Sequence, residues 1–281
     1  MLLGQPAASA TVDGEIRRFI ETGDIDPMFS VWPGDSSVDR MRRGDAAIRD
    51  ALRVEMRRRA AGRQPLSLPA DVVPVELARS RARSMVTGLF PVAERHAVLE
   101  MLARSVVFVT SDNVDDLILA DGTWPETAWK LANLYLNSVG AEALSADERL
   151  VGFSEETTCY VSTRYFEEPD PFADFVVHEA AHVFHNCKRE TLGLKATRTR
   201  EWLLPIAYRK RETFAYACEA YSRIAASGRT RRDRDRLFAE HAAGRPPSDE
   251  RVDGAEYFDI LREAVAARNG WKQILRRCAP T

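Results

Sequence analysis

Cysteine, histidine and long apolar runs are scarce in this sequence of 281 residues, which has four cysteines and five histidines. Cys159, Cys187, Cys218 and Cys278 are far apart and form no CxxC pair, so their spacing argues against a disulfide framework. No run approaches the roughly 18 apolar residues that indicate a transmembrane helix. The first residues also lack a basic segment followed by an apolar stretch. These absences predict neither a membrane span nor a secretory signal, and we expect a cytoplasmic location.

An excess of charge of either sign is also missing, because 40 lysines and arginines face 42 acidic residues and the formal net charge is -2. Such a balance produces no general attraction to nucleic acid or to an anionic membrane, so neither is expected as a partner. Arginine is nevertheless concentrated in residues 40–63 and 198–236. Solvated helix faces are the simpler interpretation of these segments, although the first segment could also bind a partner.

Helical periodicity dominates most of the chain. Between residues 37 and 60, Val38, Met41, Ile48 and Leu52 recur at helical spacing with arginines on the other faces. Proline and glycine separate this helix from its neighbours. The pattern predicts helices at about 13–21, 37–60, 75–87, 91–104, 112–120, 125–140, 171–187, 207–227, 230–243, 254–268 and 270–277.

Three short segments in the middle of the chain are rich in β-branched and aromatic residues, which favour strands. They are residues 105–110, 149–153 and 158–166, and SEET between the last two reads as a turn. The sequence therefore predicts an α+β fold that is mainly helical, with one small sheet.

The segment FVVHEAAHVFHNC, residues 175–187, contains three of the five histidines. Within it, His178, Glu179 and His182 form an HExxH motif. Four residues correspond to about 400° of helical rotation, so the two imidazoles project from one face, one turn apart. This spacing lets both bind a single Zn²⁺. The flanking residues are apolar, and a metal is the simplest partner for two buried, adjacent histidines.

Glu179 stands beside the first histidine, at the edge of the same helix face. There it can reach a zinc-bound water more easily than the metal itself. Zinc lowers the pKa of bound water toward about 7, and a neighbouring carboxylate can accept its proton and pass it to the leaving group. The motif thus predicts one Zn²⁺ per chain as cofactor, His178 and His182 as ligands, and Glu179 as the catalytic residue.

A catalytic zinc site normally has a third protein ligand. The helix predicted at 207–227 carries Glu212 and Glu219, which are seven residues apart and so share a face. Glu212 is the first choice, because small Ala215 follows it on the same side, and Glu219 is the alternative metal ligand. His185 lies about 10 Å further along its helix than His178, too far to share the same metal. We expect its charged imidazole to interact favourably with the dipole at the helix C-terminus. The alternative is a contact with the substrate.

Residues 150–225, with a strand, the HExxH helix, a linker and a glutamate helix, resemble the gluzincin branch of the zincin metallopeptidases. In that branch a glutamate ligand on the second helix is followed by small residues that pack against the motif helix. The aspartate that the family has four residues after this ligand is Tyr216 here. The short-spaced metzincin pattern does not fit, because it requires Gly at His185 and His or Asp at Lys188.

The resemblance implies a zincin-like catalytic core at residues 91–228, formed by the small sheet, the HExxH helix and the glutamate helix. An N-terminal helical region at 1–90 and a C-terminal helical region at 229–281 flank it. In the family an edge strand before the motif helix pairs with an extended peptide, and residues 158–166 stand at that place. A group that stabilises the oxyanion is also needed. Candidates for an oxyanion or substrate contact are Tyr208, Tyr216 and His185, with Arg209, Tyr221 and His241 as further possibilities.

The expected function is hydrolysis of peptide bonds in a peptide or protein substrate by a zinc endopeptidase or aminopeptidase. In this hypothesis Glu179 activates a zinc-bound water. Two other functions suit the same residues. One is a catalytically restricted or inactive zinc-binding protein with a regulatory or interaction role, and the other is a toxin or effector protease that acts on one partner.

Overall fold

The computed structural model describes residues 11–145, 150–198 and 200–280. Within these residues the chain forms α-helices and one three-stranded sheet, which confirms the expected α+β class with mainly helical content. No helix in the described part combines the length and the apolar character that crossing a membrane requires. The elements in chain order are α1 (Val12–Thr22), α2 (Ser37–Ala60), α3 (Pro74–Leu89), α4 (Val92–Ser105), β1 (Val106–Val109), α5 (Val114–Leu119), α6 (Pro125–Ser138), β2 (Gly152–Glu155), β3 (Thr158–Ser162), α7 (Phe175–Asn186), α8 (Arg211–Ser227), α9 (Arg231–Ala242), α10 (Gly254–Ala266) and α11 (Gly270–Cys278).

The described residues divide into two compact units, and the first comprises those of Met1–Ser67 and Val109–Val151. It consists of α1, α2, α5 and α6, and the apolar face of α2 packs on α6. Arg49 on α2 is buried, and its guanidinium pairs with Asp45 at 2.8 Å and donates to the carbonyl of Ile118 at 2.9 Å. Arg43 and Arg53 pair with acids on the same helix, which agrees with a solvated, charge-paired helix face.

The second unit comprises the described residues of Leu68–Phe108 and Gly152–Thr281 and contains the motif helix. The sheet has the strand order β1-β3-β2, and β2 pairs antiparallel with β3 from Gly152 opposite Val161 to Glu155 opposite Thr158. Helix α7 packs on one side against β2 and β3 and on the other against α8. Apolar residues of α3, α4, α7, α8, α10 and α11 form one continuous buried core around it.

The prediction of an edge strand at 158–166 was wrong for the second half of this segment and for its place in the sheet. It ends at Ser162, and residues Thr163–Glu167 form a 3-10 helix because the Ser162 side chain accepts a hydrogen bond from the backbone N–H of Arg164 at 3.2 Å. The strand order puts β3 between the other two strands, so it is not an edge strand. β2 occupies the outer position next to α7. The strand expected at 149–153 corresponds to β2, and residue 149 itself lies outside the described residues.

The grouping into two units differs from the three regions expected from the sequence. Helix α3, expected in the N-terminal region, packs on α4, α7, α8 and α11. Helices α10 and α11, expected as a separate C-terminal region, pack on α8 and bury Ile260, Leu261 and Ile274 completely. The elements expected as flanking layers therefore supply part of the core that surrounds the motif helix.

The contact between α3 and α11 depends on the absence of a side chain at Gly88. A Cβ atom at this position would overlap the indole ring of Trp271, and the neighbouring Asn269 side chain donates to the carbonyl of Gly88 at 2.9 Å. Alanine normally stabilises a helix by about 1 kcal/mol relative to glycine. Here we expect Gly88→Ala to lower the free energy of unfolding by about 1–3 kcal/mol instead, because the overlap displaces α11.

Denaturant unfolding of Gly88→Ala and of Thr87→Ala measures this effect. Thr87 is the exposed neighbour on the same helix, and its replacement is expected to change stability by less than about 0.5 kcal/mol. A Gly88→Ala protein as stable as wild type would contradict the packing of Trp271 on α3.

Candidate metal centre

Helix α7 begins four residues later than the sequence pattern indicated, at Phe175. The side chain of Asp174 caps it by accepting a hydrogen bond from the backbone N–H of Val177 at 3.3 Å. Asp174 is itself 1% exposed and is held by Arg81 at 3.6 Å and Arg223 at 4.0 Å. The start of the motif helix is therefore fixed by a buried, charge-paired cap.

His178 and His182 project from the same face of α7, and each side chain is 12% exposed. Their Nε2 atoms are 3.3 Å apart. Glu212, in the first turn of α8, places its Oε2 atom 3.4 Å from Nε2 of His182 and 3.9 Å from Nε2 of His178. The three atoms thus converge from two helices on one point, and together they form a group that could hold a metal ion.

The spacing of these three atoms can be compared with a tetrahedral zinc site. Zinc binds imidazole nitrogen at about 2.0–2.1 Å and carboxylate oxygen at about 2.0–2.2 Å, so tetrahedral ligand atoms are separated by roughly 3.3–3.5 Å. The observed separations of 3.3 and 3.4 Å match this value, and the separation of 3.9 Å is slightly longer. The donor set and its dimensions therefore fit Zn²⁺.

Glu219, the alternative ligand in the sequence interpretation, lies on the far side of the His178 ring. Its Oε2 atom accepts a hydrogen bond from Nδ1 of His178 at 3.0 Å, and its Oε1 atom accepts one from the backbone N–H of Asp174 at 2.7 Å. In the neutral ring, a carboxylate that accepts from Nδ1 keeps the proton there and leaves the lone pair of Nε2 facing the cluster. Glu212 and Glu219 share a helix face, as their spacing indicated, but they contact opposite edges of one imidazole.

The electrostatic surroundings of His178 are strongly negative. Burial lowers the pKa of its imidazole, but the hydrogen bond and charge of Glu219, together with the charges of Glu179 and Glu212, outweigh burial and raise that pKa to about 9. For Glu212, burial acts in the other direction and raises the pKa of the carboxyl group. The contacts of Glu212 with both histidines and with Arg251 outweigh burial and bring this pKa below its ordinary value. This concentration of carboxylates around two imidazoles favours a bound cation.

Glu179 is buried between α7 and β2 and is only 5% exposed. Its Oε2 atom has no hydrogen-bond partner among the described residues, which is costly for a carboxylate unless a ligand or solvent pairs with it. A Cβ atom at Gly152 of β2 would lie 2.9 Å from Oε1 of Glu179, so a side chain at this position would force the carboxylate of Glu179 to shift. Burial raises the pKa of Glu179, against the lowering effect of His178 and His182.

The three candidates for an oxyanion or substrate contact have different surroundings. The ring of Tyr216 is half-buried and meets the ring of His178 edge-on, with centroids 4.4 Å apart. Tyr208 precedes α8 in a 3-10 turn, is 81% exposed and lies against the guanidinium of Arg211. The structure therefore brings Tyr216 to the ligand cluster and leaves Tyr208 largely in solvent.

His185 is buried near the cluster, with its ring centroid 5.3 Å from that of His182. Its Nδ1 atom has no hydrogen-bond partner among the described residues. Burial, together with the nearby His182 and Arg211, lowers the pKa of His185 to about 3. His185 does lie in the last turn of α7, but its burial opposes the charged form that was expected there.

Sequence reasoning missed one residue at the cluster. Arg251, in the loop between α9 and α10, places Nη1 2.9 Å from Oε1 of Glu212. The loop was recognisable from its glycine and prolines, but nothing in the pattern linked it to a helix that begins forty residues earlier. Contacts of this kind are formed only by the folded chain.

Comparison of the chain with models of protein families, with curated proteins and with solved structures gave no match.

Proposed function

We propose that this chain is a zinc-dependent peptidase with a gluzincin-like catalytic core. The observation that carries the proposal is the convergence of Nε2 of His178, Nε2 of His182 and Oε2 of Glu212, all within 4.8 Å of one another. Two imidazoles and one carboxylate, with a fourth position left for water or substrate, are typical of catalytic zinc sites. Structural sites instead use four protein ligands, mostly cysteines.

In this proposal His178, His182 and Glu212 hold the zinc. When bound, zinc supplies a Lewis acid that polarises a carbonyl oxygen and acidifies water. The Oε2 atom of Glu179, buried and without a partner among the described residues, accepts the proton of the attacking water and returns it to the leaving amine. The raised pKa of Glu179, caused by burial, suits a group that must both take up and release a proton.

The oxyanion of the tetrahedral intermediate needs a hydrogen-bond donor. We assign this role to Tyr216, because its half-buried ring lies against His178. Burial raises the pKa of its hydroxyl, with the charge of Glu219 adding to this effect, so the group stays protonated and can donate. His185 is neutral and buried beside His182, which suits a packing role near the ligands.

The surroundings of Glu179 support a peptide as substrate. β2 is one of the two outer strands of the described sheet, and Gly152 on this strand lies directly against the Glu179 side chain. An extended peptide that added to the outer edge of β2 would receive main-chain hydrogen bonds and run past the catalytic carboxylate. β2, not β3, is therefore the proposed strand for peptide binding.

The metal content of the purified protein tests the ligand set. We expect about one zinc per chain in wild type and its loss in His182→Ala and Glu212→Ala, because each change removes one of the converging atoms. Elemental analysis of protein prepared without chelator measures this. His96→Ala is the matched control, since His96 is exposed on α4 and should leave the zinc in place. A wild-type protein that neither contains zinc nor takes it up would contradict the proposal.

The role of Glu179 is tested by Glu179→Gln, which keeps the size of the side chain and removes the proton acceptor. We expect zinc content to stay at the wild-type level and turnover to fall by roughly 10²- to 10⁴-fold. Cleavage of a denatured protein mixture, followed by mass spectrometry of new termini, provides the measurement.

Glu167→Gln serves as the control for this change, because Glu167 is exposed, and it should keep full activity. Equal cleavage by Glu179→Gln and wild type would remove Glu179 from the mechanism. Zinc binding by a wild type that cleaves no substrate in the mixture would favour the regulatory, non-catalytic hypothesis instead.

Glu219→Gln tests the orientation of His178. The amide oxygen can still accept from the backbone N–H of Asp174, but the amide nitrogen then donates to Nδ1 and moves the ring proton to Nε2. We expect zinc affinity to fall by roughly 10- to 100-fold, as measured by competition with a chelator. Unchanged affinity would show that Glu219 does not orient the ligand.

A further inference from the structure

The loop between α9 and α10 reaches the ligand cluster through one arginine. Nη1 of Arg251 lies 2.9 Å from Oε1 of Glu212, while its Nε and Nη2 atoms donate to the two carboxylate oxygens of Asp249 at 2.9 and 2.6 Å. The guanidinium therefore joins two carboxylates, one from the loop and one from α8. A planar fork of donors suits such a double contact, which an ammonium group could not reproduce.

This contact divides the two oxygens of Glu212 between different partners. Oε2 faces the Nε2 atoms of His182 and His178, at 3.4 and 3.9 Å, and Oε1 faces Arg251. A glutamate that ligates a metal can use one oxygen or both. With Oε1 bound to a guanidinium, only Oε2 is directed at the point where the imidazoles converge.

The loop that carries Arg251 is itself well anchored. The side chain of Asp249 accepts a hydrogen bond from the backbone N–H of Arg251 at 2.8 Å, and its carbonyl accepts one from Val252 at 3.0 Å. Two residues after Arg251, the Asp253 side chain caps α10. Pro246 closes the loop by lying against Gly254, where a Cβ would be 2.8 Å away.

The helix that follows the loop is locked to the start of α8. Lys210, directly before α8, pairs with Glu256 in the first turn of α10. Further along α10, Ile260 and Leu261 are completely buried in the core that α8 also lines. The position of the loop relative to Glu212 is therefore set by packing, and Arg251 meets Glu212 at a fixed place.

We propose that Arg251 is a positioning residue that holds Glu212 as a ligand through one oxygen, so that the loop between α9 and α10 completes the metal centre. This inference rests on the proposed zinc site and adds a role for the C-terminal helices. Arg251 does not touch the reacting atoms in this proposal. It acts through the carboxylate of Glu212, with Asp249 holding the guanidinium in place.

A structural role would give a different result from a positioning role. The Arg251 side chain is 64% exposed, and an exposed ion pair contributes little to folding. Removal of Arg251 should therefore leave thermal stability almost unchanged. Partners that hold a metal ligand typically affect metal affinity by roughly 10- to 100-fold, so the effect should appear in zinc binding.

The experiment compares wild type with Arg251→Ala, Arg251→Lys and Asp249→Asn. Zinc affinity is measured by chelator competition, and the visible spectrum of the Co²⁺-substituted protein reports coordination. We expect Arg251→Ala to bind zinc roughly 10- to 100-fold more weakly, with partial rescue in Arg251→Lys and a smaller loss in Asp249→Asn. The Co²⁺ absorption of Arg251→Ala should be weaker, because Glu212 can then bind through both oxygens and raise the coordination number.

Arg245→Ala is the matched control, since Arg245 is an exposed arginine in the same loop, and it should match wild type in affinity and spectrum. Wild-type zinc affinity and spectrum in Arg251→Ala would overturn the positioning role while leaving the zinc site intact. If Arg251→Ala lost zinc affinity and its zinc-free form also melted at a clearly lower temperature than zinc-free wild type, the loss would be structural, and the positioning role would be overturned as well. Absence of zinc and Co²⁺ binding in wild type would overturn both this inference and the proposed function.

Discussion

The carboxylate of Glu219 joins the two helices that carry the candidate metal centre. One oxygen accepts from the backbone N–H of Asp174, the residue that caps α7, and the other accepts from the ring of His178. Because this contact is buried, leaving any of its polar groups unpaired would cost about 1–3 kcal/mol. The register of α7 against α8 is thereby restricted, and Glu212, two turns before Glu219 on α8, comes to face Nε2 of both histidines.

Around this pair of helices, the cluster is enclosed by segments that are distant in sequence. β2 approaches α7 closely at Gly152 and so buries Glu179 on one side. On another side, the loop between α9 and α10 brings Arg251 to Glu212. The result is a small, strongly acidic environment around two imidazoles. Both the distances between the ligand atoms and this excess of carboxylates support the proposal of a bound divalent cation.

The local sequence was sufficient for the elements that carry the site. Helical spacing indicated α7 and α8 within a few residues of their observed bounds, and the four-residue interval put His178 and His182 on one face. It also put Glu212 and Glu219 on one face of α8. The same reasoning failed after Ser162, where a side-chain hydrogen bond to the backbone starts a 3-10 helix in a segment whose composition favours a strand.

The sequence by itself thus determined the type of most elements, the spacing of the two histidines and the two glutamates on one helix face that could supply a third ligand. Only the tertiary structure decided which glutamate faces Nε2 and which faces Nδ1 of His178. It also decided that β2, not β3, is the outer strand next to α7 and that Arg251 reaches Glu212. The reason is physical. Periodicity records which side of an element is buried, whereas ring edges, strand order and loop contacts depend on how separate elements pack against one another.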